Sequence, residues 1–168
     1  MNQTNVQQAH LNGSGFMVLG RNRVRAISFT GTATAGYVSL FDTTTAPVTT
    51  ATYGRSGTTI TVSSTAHGLT TGTVIGVDWA AGTGGTATNG NYPITRVDAN
   101  TFTITDINSG SITGSPSLVY ASRWLMTYDV TANDTFNNSP FIPEDGVLAV
   151  NGIYAQMSNL AAVNIFYG

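Results

Sequence analysis

Short apolar segments separated by turn-forming residues run along the whole chain. The segment Tyr37 to Phe41 follows Gly36 and ends at Asp42, and Thr101 to Thr105 alternates polar and apolar residues after an Asp-Ala-Asn turn. Alternation with a period of two is typical of a β-strand with one buried face. No segment keeps a helical period over three turns, so the sequence predicts an all-β protein.

The strand pattern changes near Thr52 and again near Ser117. Between them, short strands and turn signals alternate closely enough for a small β-barrel or sandwich. The flanking ranges 14–51 and 118–168 predict one discontinuous domain, a β-sandwich of jelly-roll type, interrupted by an inserted β domain over 52–117 that projects outward. The ends of the insertion should lie close together, as in tolerated domain insertions.

Two further predictions concern the chain start and the inserted core. Residues 1–13 are polar and lack periodicity, which favours an N-terminal arm; the alternative is a disordered tail. A unit of about 65 residues is marginal but able to fold alone. Its predicted core consists of Ile60, Val62, Leu69, Val74, Val77, Tyr92, Ile94, Val97, Phe102 and Ile104.

The composition is unusually poor in charge. Charged residues make up 8% of the chain, against roughly 25% in an average soluble domain. All six basic residues are arginine, and the net charge is −2. We therefore expect neither nucleic acid nor an anionic membrane as a partner. No apolar run approaches the ~20 residues of a membrane span, and the first residues lack the pattern of a signal peptide.

Candidate chemistry is sparse. The chain has no cysteine, which excludes disulfides and thiolate chemistry. His67 has no second ligand at a metal-binding spacing, so a structural turn role is favoured. The glycine-rich run 82–90 resembles a phosphate-binding loop but lacks its lysine and the following helix, and a flexible exposed hairpin tip is the better interpretation. We expect no catalytic residue, metal or cofactor.

One concentrated charge feature stands out. Arg21, Arg23 and Arg25 alternate along a strand, which places them on one face with Ile27 and Phe29. A contact with another subunit or with a capsid, a solvated edge and nucleic-acid binding are the three interpretations. The turn Glu144-Asp145 is a candidate partner from a neighbouring chain.

Aromatic residues form the second set of interface candidates. Most lie in the predicted strands of the discontinuous domain, where core packing and subunit contact are both open and a sugar-stacking platform is the alternative. The candidates are Trp124, Tyr128, Phe166 and Tyr167.

The inserted segment resembles a known family of small β modules. The matching stretches are Ser-Ser-Thr-Ala-His-Gly-Leu-Thr-Thr-Gly over 63–72, Asn-Gly-Asn-Tyr-Pro-Ile-Thr over 89–95 and Val-Asp-Ala-Asn-Thr-Phe-Thr-Ile over 97–104. This module is found across tailed-bacteriophage virion and tail proteins. The flanking segments, including Arg-Val-Arg-Ala-Ile-Ser-Phe over 23–29 and the terminal strand 163–168, are similar to short phage structural proteins.

The resemblance implies a place in the virion. Among such proteins, capsid decoration (cement) proteins are often trimers of compact β-sandwich or jelly-roll subunits. The expected function is therefore a non-enzymatic decoration protein, bound as a homotrimer to the major capsid protein on the outer head surface at capsomer junctions. The alternative is a tail, adaptor or fibre-base protein with a binding role, including weak glycan contact through the inserted domain.

Overall fold

Every regular element in the described part of the chain is a β-strand. The computed structural model describes residues 6–134, 142 and 145–168, and the predicted all-β class is confirmed. The strands are β1 (Gln7–Leu11), β2 (Gly15–Leu19), β3 (Asn22–Gly31), β4 (Gly36–Asp42), β5 (Val48–Ser63), β6 (Val74–Trp79), β7 (Gly90–Pro93), β8 (Thr95–Arg96), β9 (Thr101–Ile112), β10 (Ser117–Ala121), β11 (Trp124–Val130), β12 (Val147–Ala149), β13 (Gly152–Ser158) and β14 (Leu160–Tyr167).

The chain divides into two compact units. The terminal unit comprises the chain up to Ala46 and from Leu125 onward, and the inserted unit comprises Pro47–Trp124. In the described residues no helix is long and apolar enough to cross a membrane.

The terminal unit contains two four-stranded sheets around one core. Their strand orders are β1-β14-β3-β12 and β11-β4-β13-β2. Side chains of both sheets form a single buried cluster, as in a β-sandwich, where two inner faces share one apolar layer. Its fully buried members are Val24, Ile27, Val38, Leu40, Ala149, Ile153, Ala155, Val163 and Ile165.

The start of the chain is part of this sandwich. Gln7–Leu11 pairs antiparallel with the C-terminal strand β14, with Gln7 opposite Tyr167. The prediction of an arm or a tail is therefore wrong for these residues, while residues 1–5 lie outside the described part of the chain. The pattern of apolar residues does not predict β1, because β1 is an edge strand in which only Ala9 and Leu11 pack towards the core.

The inserted unit is one strongly curved sheet with the order β7-β6-β10-β5-β9-β8. Strand β7 lies at one end of this order, yet it approaches β9 near the other end, so the sheet curls towards a barrel. The long strand β5 makes this curvature, because it pairs with β10 through Val48–Thr52 and with β9 from Arg55 onward.

Most of the predicted inserted core is buried. Val74 and Val97 are exceptions, at 53% and 61% exposed, and Leu69 is only partly buried. The prediction missed much of the barrel interior because these side chains lie on short strands without clean alternation. The core residues that were not predicted include Ala51, Tyr53, Ile75, Trp79, Ala87, Ile112, Leu118 and Tyr120.

The ends of the insertion are adjacent, as predicted. Thr52 and Ser117 are partners in the pairing of β5 with β10. The compact unit extends beyond them to Pro47 and Trp124, because Ala51, Leu118 and Tyr120 all belong to the barrel core.

Candidate assembly surface

Strand β2 gives the terminal unit an apolar edge. Among the strands of the described residues, β2 has a single neighbour in its sheet, β13. Its sequence Gly-Phe-Met-Val-Leu carries no charge, and the side chains of Phe16 and Leu19 are 38% and 67% exposed. Sheet edges in soluble proteins are usually protected by charge, proline or a covering segment, because their free N–H and C=O groups accept another strand.

A second exposed apolar side chain lies close to the end of this edge. Gly20, directly after β2, donates its N–H to the carbonyl of Asn151 at 2.8 Å. The contact brings β2 next to the β12–β13 turn, which carries Val150 at 50% exposure. We call strand β2, which ends at Leu19, together with the neighbouring Val150 the β2 edge.

The turn beside the β2 edge is held from within the fold. The carboxylate of Asp42, at the end of β4, accepts backbone N–H groups from Val150, Asn151 and Gly152 at 2.9, 2.7 and 3.3 Å. Asp42 is 1% exposed. A charge-assisted set of this kind fixes the turn more firmly than neutral hydrogen bonds would.

The arginine stripe does not have the predicted geometry. A register shift in the pairing of β3 with β14 sets Val24 opposite Tyr167 and Ala26 opposite Phe166, which leaves Arg25 as an extra residue. Such a β-bulge interrupts the alternation. Val24 therefore joins the buried residues of β3, and the prediction that the arginines share a face with Ile27 and Phe29 is wrong.

The segment that follows Asp145 pairs with the arginine-bearing strand β3 of the same chain. Val147 and Leu148 of β12 pair with Val24 and Arg23 of β3, and the Arg23 guanidinium donates to the carbonyl of Gly146 at 3.4 Å. Asp145 is exposed directly before this point, and Glu144 lies outside the described residues. The segment directly after Asp145 thus borders Arg23 within the same chain.

The remaining members of the stripe differ in environment. Arg21 is exposed and precedes β3. Arg25 is half-buried, and its Nε is buried without a hydrogen-bond partner in the described part of the chain. An unsatisfied buried donor costs free energy. Of the three arginines, Arg25 would therefore gain most from an additional hydrogen-bond acceptor.

The four aromatic interface candidates have different environments. Tyr128 and Tyr167 pack against the core of the terminal unit, and burial raises the pKa of the Tyr128 phenol. Phe166 is half-buried and adjacent to the fully buried Ile165 on β14, so alternation turns it to the opposite face. Trp124 belongs to the inserted unit, where its backbone N–H donates to Asn91 Oδ1 at 2.9 Å.

The glycine-rich loop of the inserted unit is anchored at its second half. The Thr88 carbonyl accepts the Trp79 indole N–H at 2.8 Å and the Tyr92 hydroxyl. Asn89 accepts the Trp79 backbone N–H at 2.9 Å and donates to Asp78 at 2.6 Å. Ala87 is buried among the core residues. The prediction of a flexible exposed tip is therefore wrong for 87–89.

A buried ion pair lies inside the same unit. Arg55 Nη1 and Asp106 Oδ2 are 2.5 Å apart, and their side chains are 8% and 0% exposed. Burial alone would raise the pKa of Asp106, but hydrogen bonds from the Asn108 N–H, from Arg55 and from Thr88 outweigh it and lower that pKa. The two partners are 51 positions apart and have no shared sequence motif.

Five of the six aromatic residues in the inserted unit are buried. Trp124 alone is partly exposed, and all residues of 47–124 are described. A sugar-stacking platform in this unit would need exposed rings, and that feature is missing from its loops. The buried rings are Tyr53, Trp79, Tyr92, Phe102 and Tyr120.

His67 has a structural role in its turn. Its Nδ1 accepts the Leu69 N–H at 3.0 Å, so Nε2 carries the proton and donates to the Asp98 carbonyl at 3.0 Å. The ring also meets Phe102 edge-on at 5.2 Å. Within the described residues, no group of three or more histidine or acidic side chains is placed to hold a metal ion.

The inserted unit has a shallow open groove. Its volume is about 350 Å³, and its lining is hydroxyl-rich and uncharged. The lining residues include Thr52, Gly54, Thr61, Ser63, Thr113 and Ser115.

The β2 edge was missed as a surface by sequence reasoning. The apolar run Phe16 to Leu19 predicts the strand, but a four-residue run does not tell whether a strand is central or at an edge. The absence of charge on both of its faces is the signal that could have marked it.

Comparisons of the chain with protein-family models, curated proteins and solved structures find no match.

Proposed function

We propose that the chain is a structural subunit of a tailed-phage virion, a decoration protein that binds the outside of the head. The β2 edge carries this proposal, because an uncharged apolar edge strand is suited to lateral contact with another protein chain. The resemblance of residues 63–104 to a phage virion module supports the choice of the virion.

The mechanism is added contact area across capsomer boundaries. Three copies associate through the terminal unit and rest on the major capsid protein, and the added buried surface raises the barrier to rupture of the shell. Cyclic homo-oligomers are common assemblies for such subunits, since one repeated contact closes the ring.

The self-association step is tested at Leu19. Leu19 is 67% exposed, so a charged side chain in its place costs the folded monomer little free energy. The charge opposes pairing of β2 with a strand of another chain. We expect wild-type protein to be trimeric by light scattering after size exclusion, and Leu19→Lys to be monomeric with the circular dichroism spectrum of the wild type. Val97→Lys is the matched control, because Val97 is 61% exposed in the inserted unit.

Two outcomes would contradict this step. A wild-type protein that stays monomeric at every concentration would remove the trimer. A Leu19→Lys variant that keeps the wild-type mass would remove the β2 edge as the contact.

A tail or fibre-base protein with a binding role is the second candidate function. The hydroxyl-rich groove of the inserted unit favours it, since such a lining suits a small uncharged polar ligand such as a sugar. Titration of the protein with neutral oligosaccharides, followed by amide NMR shifts at Thr61 and Ser115, tests it. The groove is not a glycan site if no shift appears there.

A further inference from the structure

The chain contains three Asn-Gly pairs, which differ in exposure and in hydrogen bonding. They are Asn12-Gly13, Asn89-Gly90 and Asn151-Gly152. In an Asn-Gly pair the glycine nitrogen reaches the asparagine side-chain carbonyl carbon without steric hindrance, because glycine has no side chain. Whether it does so in a folded protein depends on the freedom of both groups.

The first pair is free to react. Asn12 and Gly13 lie between β1 and β2, and both are exposed. A Cβ built at Gly13 would meet nothing within 4 Å. No hydrogen bond to the Asn12 side chain is found among the described residues, and none involves the Gly13 N–H.

The second pair is locked through its side chain. Asn89 Oδ1 accepts the Trp79 N–H at 2.9 Å, and Asn89 Nδ2 donates to Asp78 at 2.6 Å. Gly90 pairs with Val77 in the sheet. The amide cannot turn towards the Gly90 nitrogen without breaking both hydrogen bonds.

The third pair is locked through its backbone. The Asn151 and Gly152 N–H groups both donate to Asp42, and the Asn151 carbonyl accepts from Gly20. The Gly152 nitrogen must lose its proton to attack, and a hydrogen bond to a buried carboxylate opposes that loss.

We propose that Asn12 is a site of spontaneous deamidation and that Asn89 and Asn151 are protected by the fold. The Gly13 nitrogen forms a bond to Asn12 Cγ, the bond from Cγ to Nδ2 breaks, and ammonia leaves with the proton from Gly13. Water then opens the cyclic imide to aspartate or isoaspartate. The product places a new carboxylate in the β1–β2 turn.

The experiment follows the three sites in one sample. Full-length protein is incubated at mildly alkaline pH, cut after arginine and measured by tandem mass spectrometry. The three pairs fall on separate peptides, 1–21, 56–96 and 124–168. We expect the folded chain to deamidate at Asn12 roughly tenfold faster or more than at Asn89, whose hydrogen bonds must first break.

Unfolded protein in urea is the control for intrinsic reactivity, and there we expect similar rates at all three pairs. The Asn12→Gln variant should lose the mass gain of peptide 1–21. The proposal is overturned if Asn12 stays intact in the folded chain while the unfolded chain reacts. It is also overturned if Asn89 or Asn151 reacts as fast as Asn12 in the folded chain.

Discussion

Asp42 accepts a hydrogen bond from the backbone N–H of Asn151 at 2.7 Å and so joins the end of β4 to a turn 109 positions later in the chain. The same carboxylate also binds the N–H groups of Val150 and Gly152. A buried side chain thus organises the turn that flanks the β2 edge.

Replacement of Asp42 should destabilise the terminal unit. Asp42→Ala leaves three backbone donors without their acceptor, and we expect a loss of about 3 kcal/mol in the free energy of unfolding. Urea unfolding followed by circular dichroism measures it, and hydrogen exchange at 150–152 should rise. Asp129→Asn is the control, because Asp129 is exposed on β11. A loss no larger than that of the control would contradict the role of Asp42.

The ion pair of the inserted unit predicts a pH dependence. The pKa of Asp106 is lowered in the fold, so its stabilising contribution is complete above the unfolded value of about 4 and is lost as pH falls through the folded value. Asp106→Asn should therefore reduce stability at neutral pH by about 3 kcal/mol, as for other broken buried pairs. The difference in stability between this variant and wild type should shrink as the pH falls below about 4.

Urea unfolding at neutral and acid pH, monitored by tryptophan fluorescence, tests this dependence, because both tryptophans of the chain, Trp79 and Trp124, lie in the inserted unit. Asp98→Asn is the control for a lowered pKa without burial, since Asp98 is exposed and bonded mainly to the Asn100 N–H. A constant difference between wild type and Asp106→Asn over the whole pH range would show that the charge of Asp106 is not what stabilises the barrel.

The limits of the inserted unit predict how it can be removed. A variant in which a short Gly/Ser linker replaces 47–124 should fold and keep the oligomeric state of the full chain, because the terminal unit has its own core. Replacement of 55–116 alone should give aggregated protein, since it exposes Ala51, Leu118 and Tyr120. Light scattering of both variants tests the pair of outcomes, and loss of the oligomer in the first would place the assembly contact in the inserted unit.

Period-two alternation was sufficient to predict the class of the fold and the insertion, but not its irregularities. The extra residue at Arg25 reverses the alternation of β3, and no residue type in that strand signals a bulge. Strand β1 was missed because only Ala9 and Leu11 of this edge strand pack towards the core, and its partner, β14, is distant in sequence.

The interactions that the sequence did not predict are mostly long-range and polar. Thr88 and Asn89 are residue types common in loops. Their hydrogen bonds to Trp79 and Asp78 become visible only in the folded structure. Asp42 directly follows the apolar run 37–41, yet its carboxylate binds a turn 109 positions later in the chain. Contacts of this kind depend on the tertiary fold, so local pattern cannot find them.

Copy number in the virion is the most direct test of the proposed function. Under this proposal a tailed phage encodes the chain, and purified particles of that phage are separated on a denaturing gel with the band quantified against the major capsid protein. A decoration protein predicts a copy number comparable with that of the major capsid protein, because it occupies a site repeated over the whole shell. A far smaller number, typical of a tail component, or absence from the particle would contradict the proposal.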